Sequence, residues 1–193
     1  MLSAADGNTS SLYLRGDKVP TNEELDKFYE KLMASGQFPS SLFGIYYRET
    51  GNEKNKATAG RGTRYVGPMQ LGPEVEKVMG IDRNDPYQNI TGGLGYAKKL
   101  QEQFNDELKG IAAYNWGPTR LRRHIAKHGD DWLGKLPEPV RRYTLYVHSM
   151  NPKFENSIPT GMREMEELGS RPPHEEFIQG LSDFPPSPRP RTY

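Results

Sequence analysis

The sequence contains no cysteine, which excludes disulfides, thiol catalysis and thiolate metal sites. It has no run near the roughly 18 apolar residues that a membrane-spanning helix needs. Its first residues, MLSAADGNTSSLYLRG, show neither a basic n-region nor an apolar h-region, so no secretory signal is expected. Neither sign of charge is in excess. With 26 Lys plus Arg against 25 Asp plus Glu, a polybasic arm is ruled out as the main feature and nothing pushes the chain toward nucleic acid. Apolar residues are also scarce, at 34% of the chain, which is low for a compact domain. Glycine and proline are plentiful instead, 20 and 16 of 193 residues. The core is therefore expected to be smaller than the chain, with part of the length extended.

What is present reads as helices. Thr21 followed by Glu24 forms a capping-box pattern, and Leu25, Phe28, Tyr29 and Leu32 recur on one helical face until Gly36. Pro39, Ser40 and Ser41 open a second helix that buries Leu42, Ile45 and Tyr46 and runs out near Glu49, before Gly51. Residues 50–68 are polar, hold four glycines and show no period. They read as a long surface loop of the kind that is usually functional. A short helix is expected over Glu74 to Met79, another from Asp85-Pro86 to about Phe104, and a further short one over Leu108 to Tyr114. A basic helix over 119–127 and a last one from Pro139, with Tyr143, Tyr146, Val147 and Met150 on one side, complete the set. No segment alternates with period two, so the fold expected is mainly α, with a domain of about 130 residues over 21–150.

Both ends read differently. Residues 1–20 form an N-terminal extension, and residues 151–193 form a tail whose last 42 residues hold eight of the sixteen prolines. Met162 to Leu168 carries the only helical hint there. The tail is expected to be extended and, on its own, largely unstructured.

Three segments stand out chemically. Glu49 ends an apolar helix in Tyr46-Tyr47-Arg48-Glu49-Thr50-Gly51. A surface carboxylate paired with a lysine is the plain interpretation. Aromatic neighbours and a helix C-terminal position both favour a raised pKa, as a carboxylic acid needs in order to donate a proton near neutrality. Gly67-Pro68-Met69-Gln70-Leu71-Gly72-Pro73 reads plainly as a turn. Ala112-Ala113-Tyr114-Asn115-Trp116-Gly117-Pro118 ends an apolar helix in Tyr, Asn and Trp. That cluster offers ring faces and an amide to a sugar, or a core Tyr with an Asn cap.

Taken in order, these segments resemble the soluble-type lytic transglycosylase domain, a relative of goose-type lysozyme. The resemblance rests on Arg48-Glu49-Thr50, the 67–73 loop, Asp85-Pro86-Tyr87-Gln88-Asn89-Ile90-Thr91-Gly92-Gly93, Ala112 to Pro118, and Arg142-Tyr143. It covers roughly residues 39–150. No single motif is specific; four in the right order at suitable spacing are. The chain departs from the family pattern at Thr50, where Ser is usual, and at Trp116, where a small residue is common. A further departure is Pro139, where a Glu often precedes the last Tyr, and the 50–69 loop is longer than usual.

The resemblance implies a lysozyme-like α domain that acts on peptidoglycan glycan strands with one carboxylate and no cofactor or metal. Glu49 would protonate the oxygen between N-acetylmuramic acid and N-acetylglucosamine. It would then remove the proton of the muramic acid 6-hydroxyl, leaving a 1,6-anhydro sugar. Thr50, Met69, Gln70, Tyr114, Asn115 and Tyr143 are the substrate-binding residues it implies. Other readings carry less. His124 and His128 lie four apart, as metal ligands on one helix face can, but Arg120, Arg122, Arg123 and Lys127 beside them make a solvated basic face the simpler account. That face could alternatively meet nucleic acid, a poor third to enzyme and structural subunit. Glu53 is a candidate second carboxylate for a hydrolysing lysozyme, but Lys54 and Lys56 follow it in the loop, and the single-carboxylate reading is preferred. Asn89-Ile90-Thr91 fits the N-glycosylation pattern. A wall-cutting chain without a signal is expected to reach the wall in a bacteriophage particle. Its termini would then dock on other virion proteins.

Overall fold

The computed structural model describes residues 19–50 and 54–151. Among them are seven α-helices: α1 Asn22–Ala34, α2 Phe43–Thr50, α3 Pro73–Met79, α4 Pro86–Phe104, α5 Glu107–Trp116, α6 Pro118–His128 and α7 Glu138–Ser149. The described residues hold no strand beyond one isolated antiparallel bridge, Val66 with Leu71, so the mainly α expectation holds. The helices start where local chemistry tells them to. Both halves of the Thr21–Glu24 capping box form, with the Glu24 N–H on Thr21 Oγ1 at 3.2 Å and the Thr21 N–H on Glu24 Oε2 at 2.7 Å. Asp85 caps α4 by accepting from the N–H groups of Tyr87 and Gln88, with Pro86 in the first turn.

The core runs from Leu25 on α1 to Val147 on α7. α4 and α5 lie at its centre: α4 packs on α1, α3 and α5, and α5 packs also on α6 and α7. α5 is buried along most of its length, at Ile111, Ala112, Ala113, Tyr114 and Asn115. Each fully buried large apolar side chain contributes roughly 1.5–3 kcal/mol. α6 is the opposite case, with Leu121 its one buried residue, as its run of Arg and Lys requires.

Two expectations need correction. The second helix begins as a 3₁₀ turn, Ser40–Leu42, before α2 proper. The 50–68 segment, expected as an exposed structureless loop, contains a 3₁₀ turn, Lys56–Thr58, and buries Lys56, Ala57, Ala59 and Val66. Residue 56 is held from both ends: its N–H donates to Asn22 Oδ1 (2.8 Å) and its Nζ pairs with Asp26 Oδ1 (2.5 Å). Asp26 also accepts from the Tyr46 hydroxyl at 2.6 Å. Burying a lysine is costly unless it is paired, and this carboxylate meets that need. The Gly129–Trp132 3₁₀ turn, which buries Trp132, has no counterpart in the sequence reading. The Met162 to Leu168 hint lies outside the described residues.

Candidate active site

Glu49 is the penultimate residue of α2 and is half-buried. Its Oε1 accepts a hydrogen bond from the Tyr143 hydroxyl at 2.7 Å, across 94 residues of sequence. Tyr143 itself is only 3% exposed, so its ring is clamped in the core of α7 and its hydroxyl presents a fixed donor. α2 and α7 are close enough here for this because Gly44 leaves room: a Cβ at that position would lie 2.7 Å from the Val147 carbonyl.

The turn from Val66 to Leu71 is a miniature hairpin closed by two backbone bonds, Val66 N–H to Leu71 O at 3.2 Å and Leu71 N–H to Val66 O at 2.9 Å. Gln70 sits at its corner with φ +49°, left-handed for a non-glycine residue. Such a conformation costs on the order of 1 kcal/mol and concentrates at functional sites. Its Nε2 donates to the Gly67 carbonyl at 2.9 Å, and the residue stays half-buried.

Asn89 on α4 organises that hairpin. Its Oδ1 accepts from the Met69 N–H at 2.7 Å, and its Nδ2 donates to the carbonyls of Val66 (2.9 Å) and Arg83 (2.8 Å). Gly67 makes the approach possible, since a Cβ there would lie 2.3 Å from Asn89 Nδ2. Arg83 adds bonds from Nη1 to the carbonyls of Arg64 (2.5 Å) and Leu71 (3.2 Å). On the far side the Tyr114 hydroxyl donates to the Met69 carbonyl at 2.8 Å. Two helices, α4 and α5, and the loop residue Arg83 thus hold one turn. The sequence reading matched Asn89 to a motif but gave it no role. The signal was available: a polar residue on the buried face of α4 one turn before Gly93, where a Cβ would strike Met69 at 2.6 Å.

Several of the residues expected to touch substrate are buried and bonded within the fold. Thr50 is fully buried and its hydroxyl donates to the Tyr46 carbonyl at 2.9 Å, closing the last turn of α2. Met69 is fully buried too, packed over Gly93. Both side chains lie beneath the surface in this structure. Tyr114, 4% exposed, donates its hydroxyl to the Met69 carbonyl, and Tyr143 donates to Glu49. Glu53 lies outside the described residues.

Asn115 differs. It is 7% exposed, yet its amide makes no hydrogen bond to any described residue. It lines a groove of about 260 Å³ between the 64–75 segment and the α5–α6 junction, with Tyr114 and Trp116 beside it. Trp116 is half-buried and meets the edge of His124 at 5.3 Å. His124 Nε2 is engaged with the Trp132 carbonyl at 2.9 Å. Among the described residues no group of three or more His, Asp or Glu is placed to share a metal ion, and no helix is long and apolar enough to cross a membrane.

The described residues thus hold a half-buried carboxyl at a helix end with a phenolic donor, a pinned turn, and an amide lining a groove. The model of one family, the transglycosylase SLT domain, matches residues 28–132, which include Glu49, the 66–71 turn, Asn89 and Asn115. Tyr143 lies beyond the matched stretch and is brought in by the packing of α7 on α2. The match spans more than half of the 193 residues and implies lytic transglycosylase activity on peptidoglycan, so the chain belongs to the transglycosylase SLT domain family.

Proposed function

We propose that Glu49 is the single acid–base group of a lytic transglycosylase that cleaves the bond between N-acetylmuramic acid and N-acetylglucosamine. The observation that supports this most directly is the 2.7 Å hydrogen bond from Tyr143 to Glu49 Oε1. It fixes the orientation of the carboxyl at the end of α2. As acid, Glu49 gives its proton to the glycosidic oxygen while the C1–O bond breaks. As base, it takes the proton of the 6-hydroxyl while that oxygen bonds to C1. The proton count returns to its start and no water enters. Ordinary glycosidases divide these tasks between two carboxylates; here the sugar supplies its own nucleophile. Asn115 and Gln70 would bind the glycan, and Tyr143 would fix the carboxyl.

Mass spectrometry of peptidoglycan digested by wild type and by Glu49→Gln tests the proposal. Anhydro-muropeptides from wild type alone support it. Reducing-end products would make the protein a hydrolysing lysozyme of the same fold, and no cleavage by either would leave a structural subunit.

We further propose a bacteriophage virion as the setting, with residues 1–20 and 151–193 as docking segments for other virion proteins. The proline-rich composition of the last 42 residues supports this, since proline-rich chain docks as preformed extended segments. Detection of the chain in purified particles, and its loss from them on deletion of residues 152–193, is the expected result.

A further inference from the structure

The family match covers residues 28–132, yet the first turns of α1, which precede it, are tied into the site. Asn22 and Asp26 stand four residues apart on one face of α1, and both reach the 54–56 segment. Asn22 Nδ2 donates to the Lys54 carbonyl at 3.3 Å, and Asn22 Oδ1 accepts the Lys56 N–H at 2.8 Å. Asp26 Oδ1 accepts from Lys56 Nζ at 2.5 Å and from the Tyr46 hydroxyl at 2.6 Å. One carboxylate oxygen therefore joins the two elements that carry the site. On one side, Tyr46 lies three residues before Glu49 on α2. On the other, a chain of bonds leads from Lys56 to the turn. The Lys56 carbonyl accepts the Ala59 N–H at 3.3 Å, and the Ala59 carbonyl accepts the Gly67 N–H at 2.8 Å. The Gly67 carbonyl in turn accepts from Gln70 Nε2 at 2.9 Å.

Packing alone does not ask for an ion pair here. Lys56 is 8% exposed, and its ammonium lies over the rings of Tyr46 and Tyr47 at 4.8 and 5.8 Å. An apolar side chain of similar length would fill the same space without desolvating a charge. Buried ion pairs replaced in that way often leave stability unchanged or raised. What the pair has and an apolar contact lacks is direction, because charge-assisted bonds are short and angle-dependent. The Tyr46 ring, fully buried and stacked on Tyr29 at 4.3 Å, gives its hydroxyl a fixed heading toward Asp26.

We propose that Asp26 is a positioning residue for the reaction, holding Glu49 and Gln70 at their working separation through Tyr46 on one side and Lys56 on the other. The inference rests on the reading of Glu49 as the acid–base group, and it adds to the site a part of α1 outside the matched stretch. Misplacing a catalytic group by about 1 Å slows the chemical step up to about a hundredfold.

The test uses full-length Tyr46→Phe and Lys56→Met, each of which cuts one link while keeping a ring or a stem in the core. Kinetics of muropeptide release from purified peptidoglycan are measured below the melting temperature of every variant, beside thermal melts. Each single variant should lower kcat about tenfold with KM within about twofold of wild type. Both substitutions break the same linkage, so the double variant should be no slower than the slower single, whereas independent effects multiply. Glu23→Gln removes the exposed Lys27–Glu23 pair of the same helix (2.7 Å). It should leave kcat unchanged and so controls for the charge of α1. A purely structural role lowers Tm and leaves kcat alone. That result, an effect confined to KM, or multiplied losses in the double variant overturns the proposal. Should Lys56→Met fail to fold, Tyr46→Phe, which loses a single oxygen, decides by the same split of kcat from KM. Wild type that does not cleave sinks the reading of Glu49 and this proposal together. Cleavage by wild type but not by Glu49→Gln, with kcat unmoved in the Tyr46 and Lys56 variants, sinks this proposal alone.

Discussion

Replacing Asn89 is the perturbation with the clearest structural arithmetic. In Asn89→Ala the Met69 N–H and the Arg83 carbonyl each lose a buried partner, while the Val66 carbonyl keeps its bond from Leu71. An orphaned buried polar group costs about 1–3 kcal/mol, so two of them predict a loss of about 3 kcal/mol. For a domain of this size that lowers Tm by roughly 10 °C. Asn89→Asp is the sharper test, because it keeps the shape. Its carboxylate can still accept from Met69, but it now turns an acceptor toward two carbonyls at 2.8 and 2.9 Å and buries a charge without a cation. Asp must therefore be worse than Ala, although it is the closer isostere. Urea unfolding of the three proteins gives the ranking, and hydrogen exchange at residues 66–71 shows whether the hairpin loosens first. If Asn89→Asp proves as stable as wild type, or more stable than Asn89→Ala, the donor role assigned to Nδ2 is refuted.

Three other outcomes follow. Tyr143→Phe should lower kcat about ten- to a hundredfold with little change in KM, the signature of a mispositioned acid, while stability moves by less than about 1 kcal/mol. A KM effect alone would mean that the hydroxyl serves binding. Gln70→Gly and Gln70→Val both remove the amide and should both reduce cleavage. In thermal melts only Val should lose about 2 kcal/mol, because a β-branched residue tolerates a positive φ poorly; equal melts would contradict the left-handed corner. Burial raises the phenol pKa values of Tyr29, Tyr46 and Tyr47, that of Tyr47 to about 12. Since the folded values lie above the unfolded value near 10, this contribution is full below pH 10 and is lost as pH rises through 12. Tyrosinate absorbance of these groups should appear together with loss of helical circular dichroism. Complete ionisation near pH 10 with the helices intact would count against it.

Helix positions were legible because caps and apolar periodicity are local. The Thr21–Glu24 box, Asp85 with Pro86, and the left-handed Gly80 at the end of α3 stand where their chemistry puts them. The burial in 54–59 was not legible. A polar run with no period gives no sign that Lys56 will find Asp26, 30 residues away. The same limit applies to Thr50 and Met69. Motif position suggested substrate contact, but exposure depends on what packs above a side chain, and sequence spacing does not encode that.

The sequence by itself therefore determined the helices, the order of the motifs and the family, all of which depend on residues close together in the chain. Only the tertiary structure decided which members of those motifs are free to act. It joined Tyr143 to Glu49 over 94 residues and tied Met69 to Asn89 and Tyr114. The physical reason is that a buried hydrogen bond is selected by distance and desolvation in three dimensions, and each of these contacts spans helices that meet only once the core has formed.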